Sequence, residues 1–183
     1  DRTLYWWDGD AFAPVSRYAG KLIKLVPTGW DVPTFEIDGI KMLPTSKESP
    51  LDDARRKVAL VQPAGKTVLD TCGGLGYFAA CCLDAGVAAL QSFEKNEDVL
   101  WLRTLNPWSP DPEAPEHGGR LELMHADVSR AIADIEDALD GYTQAPLALP
   151  LQFQESVLLD RPDGLAAMAA QVLFGTRYRR SPR

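Results

Sequence analysis

The sequence predicts an α/β fold in which a doubly wound parallel sheet follows a β-hairpin lobe, and three observations lead to it. From Lys66 onward, short apolar stretches alternate with segments of helical periodicity, which is typical of a parallel sheet with right-handed crossovers. Before that point, turn-forming Pro, Gly and Asp residues interrupt short apolar stretches. Between the first strand and helix of the alternating part lies the glycine-rich stretch "TCGGLGY".

Composition limits the class of protein. The chain has 183 residues, is 45% hydrophobic and carries a formal net charge of -7, which argues against a main role in non-specific nucleic-acid binding but leaves a local basic patch open. Cys72, Cys81 and Cys82 lack a zinc-binding spacing, so we expect buried free thiols, no metal site and a reducing, cytoplasmic compartment. No apolar run reaches the roughly 20 residues of a membrane span, and residues 1–10 do not resemble a signal peptide.

Residues 1–47 are expected to form the β-rich lobe. Asp38-Gly39 predicts a tight turn between two strands. Before this turn, Phe35 and Ile37 alternate with Glu36, which predicts a half-buried strand with the glutamate on its polar face.

A helix is expected to open the second part, residues 48–141. Ser49 is the N-cap candidate, and Pro50 suits the first helical position because its missing N–H costs nothing there. Asp52 and Asp53 lie in the first turn, where the helix dipole favours negative charge. Residues 62–65, Gln-Pro-Ala-Gly, end the helix.

Strands and helices then alternate. The expected strands are 67–70, 87–93 and 121–124, with helices at 76–85, from Asn96 to Asn106, and from Asp127 onward. Gly86 is a candidate for the left-handed residue that ends the first of these helices. Three prolines and two glycines in 108–120 predict a loop, which is either a substrate-covering loop or a surface insertion.

The glycine-rich stretch indicates a nucleotide-like ligand. Residues 74–79 fit the dinucleotide fingerprint G-x-G-x-x-A, so an NAD-binding oxidoreductase is one interpretation. Asp70, which ends the preceding strand, favours another, because a carboxylate there repels pyrophosphate and attracts an ammonium-bearing ligand such as S-adenosylmethionine. Alternatively, Asp70 only braces the turn through backbone hydrogen bonds.

Acids also end the next two expected strands. Glu94 is suited to accept hydrogen bonds from both ribose hydroxyls, although this alone would also suit NAD. Asp127 is suited to the adenine amino group, with the Val128 N–H beside it, or serves only as a helix N-cap. The ordered set of Asp70, glycine loop, Glu94 and Asp127 is more specific than any one member.

On these residues, 51–139 resembles the first half of the class I S-adenosylmethionine-dependent methyltransferases, whose domain is Rossmann-like. "VLDTCGGLG", "FEKN" and "HADV" resemble the first three motifs of that family. A longer stretch, from "IKMLPTSKESP" to "LNPWSP", resembles a group of predicted methyltransferases related to spermidine synthases. True aminopropyltransferases are less similar, because they usually have no acid at the position of Asp70.

The resemblance implies roles for individual residues and leaves the methyl acceptor unknown. By this resemblance, the methionine end of S-adenosylmethionine would be surrounded by Asp70, Gly73, Gly74 and Gly76. Glu94 would hold the ribose, and Asp127 with Val128 would hold the adenine. Tyr77 and Phe78 would form a wall of the pocket. The segment that contains Thr45, Ser46 and Ser49 would fold over the cofactor.

The resemblance fails in residues 142–183. The expected fourth strand and Asp-Pro-Pro motif have a counterpart only in "SVLLDRPDG", with a strand at 157–159, Asp160 as the candidate substrate-side catalytic residue, and a helix at 165–174. Either this segment is truncated or altered, or the domain is a non-catalytic binding module whose sheet edge is completed by a partner or a second copy. The two histidines, His117 and His125, form no nucleophile–base pair, but methyl transfer depends mainly on positioning.

Overall fold

The computed structural model describes residues 2–128, 157–160 and 166–169. The described strands are β1 (Tyr5–Trp7), β2 (Phe12–Pro14), β3 (Ser16–Tyr18), β4 (Leu22–Val26), β5 (Thr34–Ile37), β6 (Ile40–Lys41), β7 (Thr67–Asp70), β8 (Ala89–Glu94), β9 (Leu121–His125), β10 (Val157–Asp160) and β11 (Ala166–Ala169). The described helices are α1 (Pro50–Val61), α2 (Tyr77–Asp84) and α3 (Glu97–Leu105), with a 3₁₀ turn at Pro115–His117. None of these helices is long and apolar enough to cross a membrane.

The N-terminal lobe is β-rich, as the sequence predicts. Strands β1 and β2 form an antiparallel hairpin, and β3 to β6 form a four-stranded antiparallel sheet in sequence order. Asp38 and Gly39 both have positive φ, 49° and 81°, and join β5 to β6 in the tight turn that was expected.

Glu36 differs from its prediction, because it is buried rather than on a polar face. Only 3% of this residue is exposed. Strand β5 lies between β4 and β6, and the antiparallel register places Lys24 directly opposite Glu36, with 3.5 Å between Nζ and Oε2. Arg2 approaches the other carboxylate oxygen at 3.7 Å. The alternation pattern fails here because paired charges allow an acid to occupy a covered position.

Helix α1 begins and ends as its sequence predicts. The Ser49 hydroxyl oxygen accepts the Asp52 N–H at 2.9 Å, and Pro50 is the first helical residue. Gln62 ends the helix in the left-handed conformation, with its N–H donated to the Val58 carbonyl at 2.9 Å. The apolar face of the helix packs into the core through Val58 and Val61.

The α/β part is built on a parallel sheet in the order β7-β8-β9. Val68, Leu90 and Leu121, one from each strand, are buried in the core. The Asn96 side chain caps α3 by accepting the Asp98 N–H at 2.9 Å, and Gly86 follows α2 with φ 80°, both as predicted. The expected helix after Asp127 lies outside the described residues beyond Val128.

The predicted strand at 157–159 is confirmed, but the predicted helix at 165–174 is wrong over Ala166–Ala169. These four residues form β11, which pairs antiparallel with β10, so that Asp160 lies opposite Ala166. The intervening sequence, Arg-Pro-Asp-Gly-Leu, contains turn-forming residues, which favour a hairpin over a helix. Strand β11, rather than the predicted strand at 157–159, lies alongside β7.

Candidate functional site

A pocket lies over the glycine loop, residues 71–76, where β7 ends and α2 begins. Its cavity volume is about 290 Å³, and both the N-terminal lobe and the α/β part contribute walls. Its lining comprises Phe35, Ile37, Met42, Leu43, Pro50, Asp53, Ala54, Lys57, Cys72, Gly73, Gly74, Leu75, Gly76, Tyr77, Phe78, Glu94, Lys95, Asn96 and Val99. Six of the predicted site residues are therefore brought together here, namely Gly73, Gly74, Gly76, Tyr77, Phe78 and Glu94.

The loop backbone is held by hydrogen bonds from its own amides. The Gly73 N–H donates to the Phe93 carbonyl at 2.7 Å, and the Gly76 N–H donates to the Gly73 carbonyl at 2.7 Å. The Gly74 N–H donates to the Glu94 carboxylate at 3.0 Å. Gly74 and Gly76 adopt positive φ, 49° and 82°, which is the conformation that requires glycine here.

Glu94 ends β8 at the pocket, half-buried. Its Oε2 accepts the Gly74 N–H, and its Oε1 accepts the Asn96 N–H at 2.8 Å. A carboxylate has about four acceptor sites, so each oxygen keeps capacity for a hydroxyl donor of a ligand. The structure thus places a carboxylate with unused acceptor capacity where β8 meets the glycine loop.

Asp70 lies beneath the glycine loop, does not line the pocket and is fully buried. Its Oδ2 accepts the Ser92 hydroxyl at 2.9 Å, and its Oδ1 accepts the Cys72 N–H at 3.3 Å. These contacts agree with the alternative in which Asp70 stabilises the turn after β7 and does not contact a ligand. Burial raises the pKa of Asp70 to about 6, against the opposing effects of the Ser92 hydrogen bond and the Arg103 charge.

Tyr77 joins the pocket to the N-terminal lobe. Its ring lines the pocket, while its hydroxyl donates to the Pro33 carbonyl at 2.8 Å and accepts from the Asn106 amide at 3.3 Å. Burial raises the pKa of this hydroxyl. The Ser109 hydroxyl, which also accepts from Asn106, donates to the Leu75 carbonyl at 2.7 Å. The loop is therefore tied to the segment after α3.

The sequence analysis missed Ser92, Arg103, Asn106 and Ser109 as residues that shape the loop. Asn106 and Ser109 belong to "NPWS", which the sequence analysis used as a helix end, as the start of a loop and as part of a family resemblance, without a role for either side chain. Ser92 and Arg103 are polar residues within a strand and a helix, and their burial is the feature that marks them.

Asp127 and Val128 lie beside the pocket and do not line it. The Ala126 N–H donates to the Glu94 carbonyl at 3.2 Å, which continues the pairing of β9 with β8. Asp127 is half-buried and lies 3.9 Å from the Lys95 ammonium, measured from Oδ2 to Nζ. Asp127 is thus one strand away from Glu94 at the same edge of the sheet.

The remaining candidates are distributed differently from their predictions. Thr45, Ser46 and Ser49 are outside the pocket lining, which that segment reaches through Met42, Leu43 and Pro50 instead. Asp160 is the last residue of β10, and its side chain lies outside what the structure describes.

Neither His117 nor His125 lines the pocket, and the described residues contain no cluster of three or more potential metal ligands. All three cysteines are free, with Cys81 and Cys82 buried as expected and Cys72 half-buried at the pocket.

Comparison with known proteins supports the fold. No family model matches this sequence. The uncharacterized protein MJ1233 of Methanocaldococcus jannaschii is 40% identical over 105 residues, which cover 57% of this chain and 35% of that protein. The spermidine synthase of Thermotoga maritima is similar in structure with a TM-score of 0.51 at 19% identity, covering 73% of this chain and 48% of the synthase. A spermidine synthase in complex with the transition-state analogue AdoDATO gives a TM-score of 0.50 with the same identity and coverage.

These likenesses define the class of fold as Rossmann-like α/β, which the sequence predicted. At 19% identity they define the fold alone. The chain spans about a third of the length of MJ1233 and about half of the two synthase structures.

Proposed function

We propose that this chain binds S-adenosylmethionine over the glycine loop and is the cofactor-binding part of a methyltransferase-like protein. The observation that carries the proposal is the position of the Glu94 carboxylate, which lies at the pocket between the Gly74 and Asn96 amides. A carboxylate at this strand end suits the two hydroxyls of a ribose.

The residues of the pocket fit a nucleoside with an aliphatic extension. Phe35, Phe78 and Val99 provide apolar surface near Glu94. A Cβ built on Gly74 would have no neighbour nearer than 3.9 Å, the closest being the Cys72 carbonyl oxygen and the Phe35 ring. The loop surface at Gly74 is therefore accessible to a ligand atom, while the aromatic ring of Phe35 bounds that space.

The hydrogen bonds of the loop disfavour a dinucleotide. A pyrophosphate is held by free backbone N–H groups of such a loop. Here the amides of Gly73, Gly74 and Gly76 already donate within the protein, and the acceptor for Gly74 is a carboxylate. A diphosphate at Gly74 would displace that bond and face the Glu94 charge. These contacts support S-adenosylmethionine over NAD.

The bound cofactor would supply a methyl group already activated on a sulfonium, so the chain's own task is positioning. Glu94 would hold the ribose, the loop would orient the aliphatic end, and Phe35 with Met42 would exclude water. Cys72 is not an activated nucleophile, because burial, together with the charges of Asp70 and Glu94, raises the pKa of its thiol to about 11.

The acceptor side belongs to the same proposal. Asp127 with Val128 would take the adenine end at the next strand, and Asp160 is the candidate on the acceptor side. A partner or a second copy would complete the sheet edge. The acceptor would be a small molecule, a protein or an RNA.

Calorimetric titration of the full chain tests the proposal. We expect S-adenosylhomocysteine and S-adenosylmethionine to bind at one site and NAD not to bind. Binding of NAD without S-adenosylhomocysteine would refute the proposal and favour the oxidoreductase interpretation. Binding of S-adenosylmethionine without methyl transfer to any acceptor offered would favour the binding module.

A further inference from the structure

Three polar side chains are packed together beneath the glycine loop, on the side opposite the pocket. Asp70 ends β7, Ser92 lies in β8, and Arg103 lies in the last turn of α3. Asp70 and Ser92 are fully buried, and Arg103 is 4% exposed. We refer to these three residues as the Asp70–Ser92–Arg103 cluster. None of them lines the pocket.

The cluster is connected, but the guanidinium is only partly satisfied. The Ser92 hydroxyl donates to Asp70 at 2.9 Å, and Arg103 Nη1 donates to the Ser92 oxygen at 3.4 Å. Within the part of the chain that the structure describes, Nε and Nη2 of Arg103 have no hydrogen-bond partner. Burial lowers the pKa of Arg103, while the charges of Asp70 and Glu94 oppose that effect. Burying a guanidinium with unpaired N–H groups costs desolvation free energy, which indicates that Arg103 has a structural role at this position.

That role concerns the glycine loop, because the backbone of the loop packs directly against the cluster. A Cβ built on Gly76 would lie 2.6 Å from Arg103 Cζ and 2.7 Å from Nη2. A Cβ built on Gly73 would lie 2.5 Å from Ser92 Oγ and 3.1 Å from Arg103 Nη1. Any side chain at these two positions would displace the cluster. Gly74, whose nearest neighbour would be at 3.9 Å, makes no such contact.

We propose that the cluster sets the shape of the loop's ligand face from below, with Arg103 as a positioning residue. Gly73 is then a glycine because of the side chains beneath it, Gly74 is a glycine for its backbone conformation, and both reasons apply to Gly76. The planar guanidinium fits against the Gly76 backbone, and its charge compensates the buried Asp70 carboxylate. This inference rests on the proposed function only where it concerns cofactor affinity.

A double-mutant cycle between Gly73 and Ser92 tests the contact. Gly73 has no positive φ, so the cost of an alanine there is steric, and the nearest contact is Ser92 Oγ of the cluster. We expect Gly73→Ala to weaken S-adenosylhomocysteine binding by about tenfold or more in the wild-type background, but by no more than about threefold in Ser92→Ala, where Oγ is absent. Contacts at 3.1 Å to Arg103 and 3.3 Å to the Phe93 carbonyl keep the relief incomplete.

Gly74→Ala is the matched control for this cycle. Its cost comes from φ 49° and from the ligand side, so it should be the same with and without Ser92 Oγ. The effects of Gly74→Ala and Ser92→Ala on affinity are expected to be additive. If the effects of Gly73→Ala and Ser92→Ala are additive as well, the cluster does not support the loop at Gly73 and the proposal is wrong.

Amide hydrogen exchange of residues 73–77 gives a readout that needs no ligand. Gly73→Ala should increase the exchange rates of these amides, and the increase should be smaller when Gly73→Ala is made in the Ser92→Ala background. Failure of the wild type to bind S-adenosylhomocysteine would refute the proposed function, while the exchange cycle would still decide the role of the cluster.

Arg103→Lys and Arg103→Met separate positioning from simple filling of space. Both keep a long side chain, but only lysine keeps the charge that compensates Asp70. We expect Arg103→Lys to retain more loop protection and affinity than Arg103→Met, and Asp70→Asn to restore part of the loss in Arg103→Met. Equal effects of the two substitutions, with no restoration, would overturn the positioning role.

Discussion

The position of Glu94 at the pocket leads to the sharpest prediction. Glu94→Gln keeps the size of the side chain and replaces one acceptor oxygen with an NH₂ group. The carboxylate accepts two backbone amides, those of Gly74 and Asn96, at 3.0 and 2.8 Å. A glutamine can accept only one of them with its oxygen, so the other amide faces a donor.

The magnitude follows from these two bonds. A hydrogen bond to a charged group contributes about 1.5–3 kcal/mol, and the half-buried position of Glu94 puts its loss toward the lower end. We therefore expect the unfolding free energy to fall by about 1–2 kcal/mol. Loss of the charged acceptor for ribose hydroxyls should weaken S-adenosylhomocysteine binding by about 1–3 kcal/mol, which is roughly 5- to 150-fold.

Calorimetric titration measures the affinity, and urea denaturation measures the stability of the same samples. Glu122→Gln is the matched control, because Glu122 is an exposed carboxylate on β9 that accepts from the Gln91 amide at 2.8 Å and does not line the pocket. A glutamine can still accept that bond, so we expect changes within about 0.5 kcal/mol.

Unchanged affinity in a folded Glu94→Gln variant would refute the reasoning. The ligand would then not contact the end of β8, and the assignment of the ribose to this strand would be incorrect. An equal loss in Glu122→Gln would indicate a general effect of charge on the ligand and would refute it equally.

Two further predictions concern stability. Asp70 has a folded-state pKa of about 6 against an ordinary 3.8, so the folded protein binds the proton more tightly than the unfolded chain. Its unfavourable contribution is therefore full above pH 6 and is relieved as the pH falls toward 4. We therefore expect the unfolding free energy of the wild type, measured by urea denaturation, to rise relative to that of Asp70→Asn by up to about 3 kcal/mol as the pH falls from above 6 to about 4. If the unfolding free energies of the two proteins changed in parallel with pH, the prediction would be contradicted. Ser49→Ala should lower the unfolding free energy by about 1 kcal/mol through loss of the α1 cap, with Ser46→Ala, at an exposed neighbour, as a control that leaves it unchanged. Equal denaturation midpoints for the two serine variants would count against the cap.

Features that depend on neighbouring residues could be predicted from the sequence. The Ser49 and Asn96 caps, the Asp38-Gly39 turn and the Gly86 helix end all involve contacts within a few positions along the chain. The alternation of strands and helices follows from local periodicity in the same way, and it places Glu94 at a strand end beside the glycine loop. These features were predictable because each is determined by residues that are adjacent in sequence.

The tertiary structure decided which side of the glycine loop each polar group occupies. Asp70 is at its predicted strand end, yet its partner Ser92 is 22 residues away, and both lie under the loop. Tyr77 contacts Pro33 across 44 residues, so its hydroxyl serves the N-terminal lobe rather than a ligand. Arg103 occupies the space that a side chain at position 76 would need. No local pattern encodes these pairings, because burial of a polar group is tolerated only where the fold brings a distant partner against it.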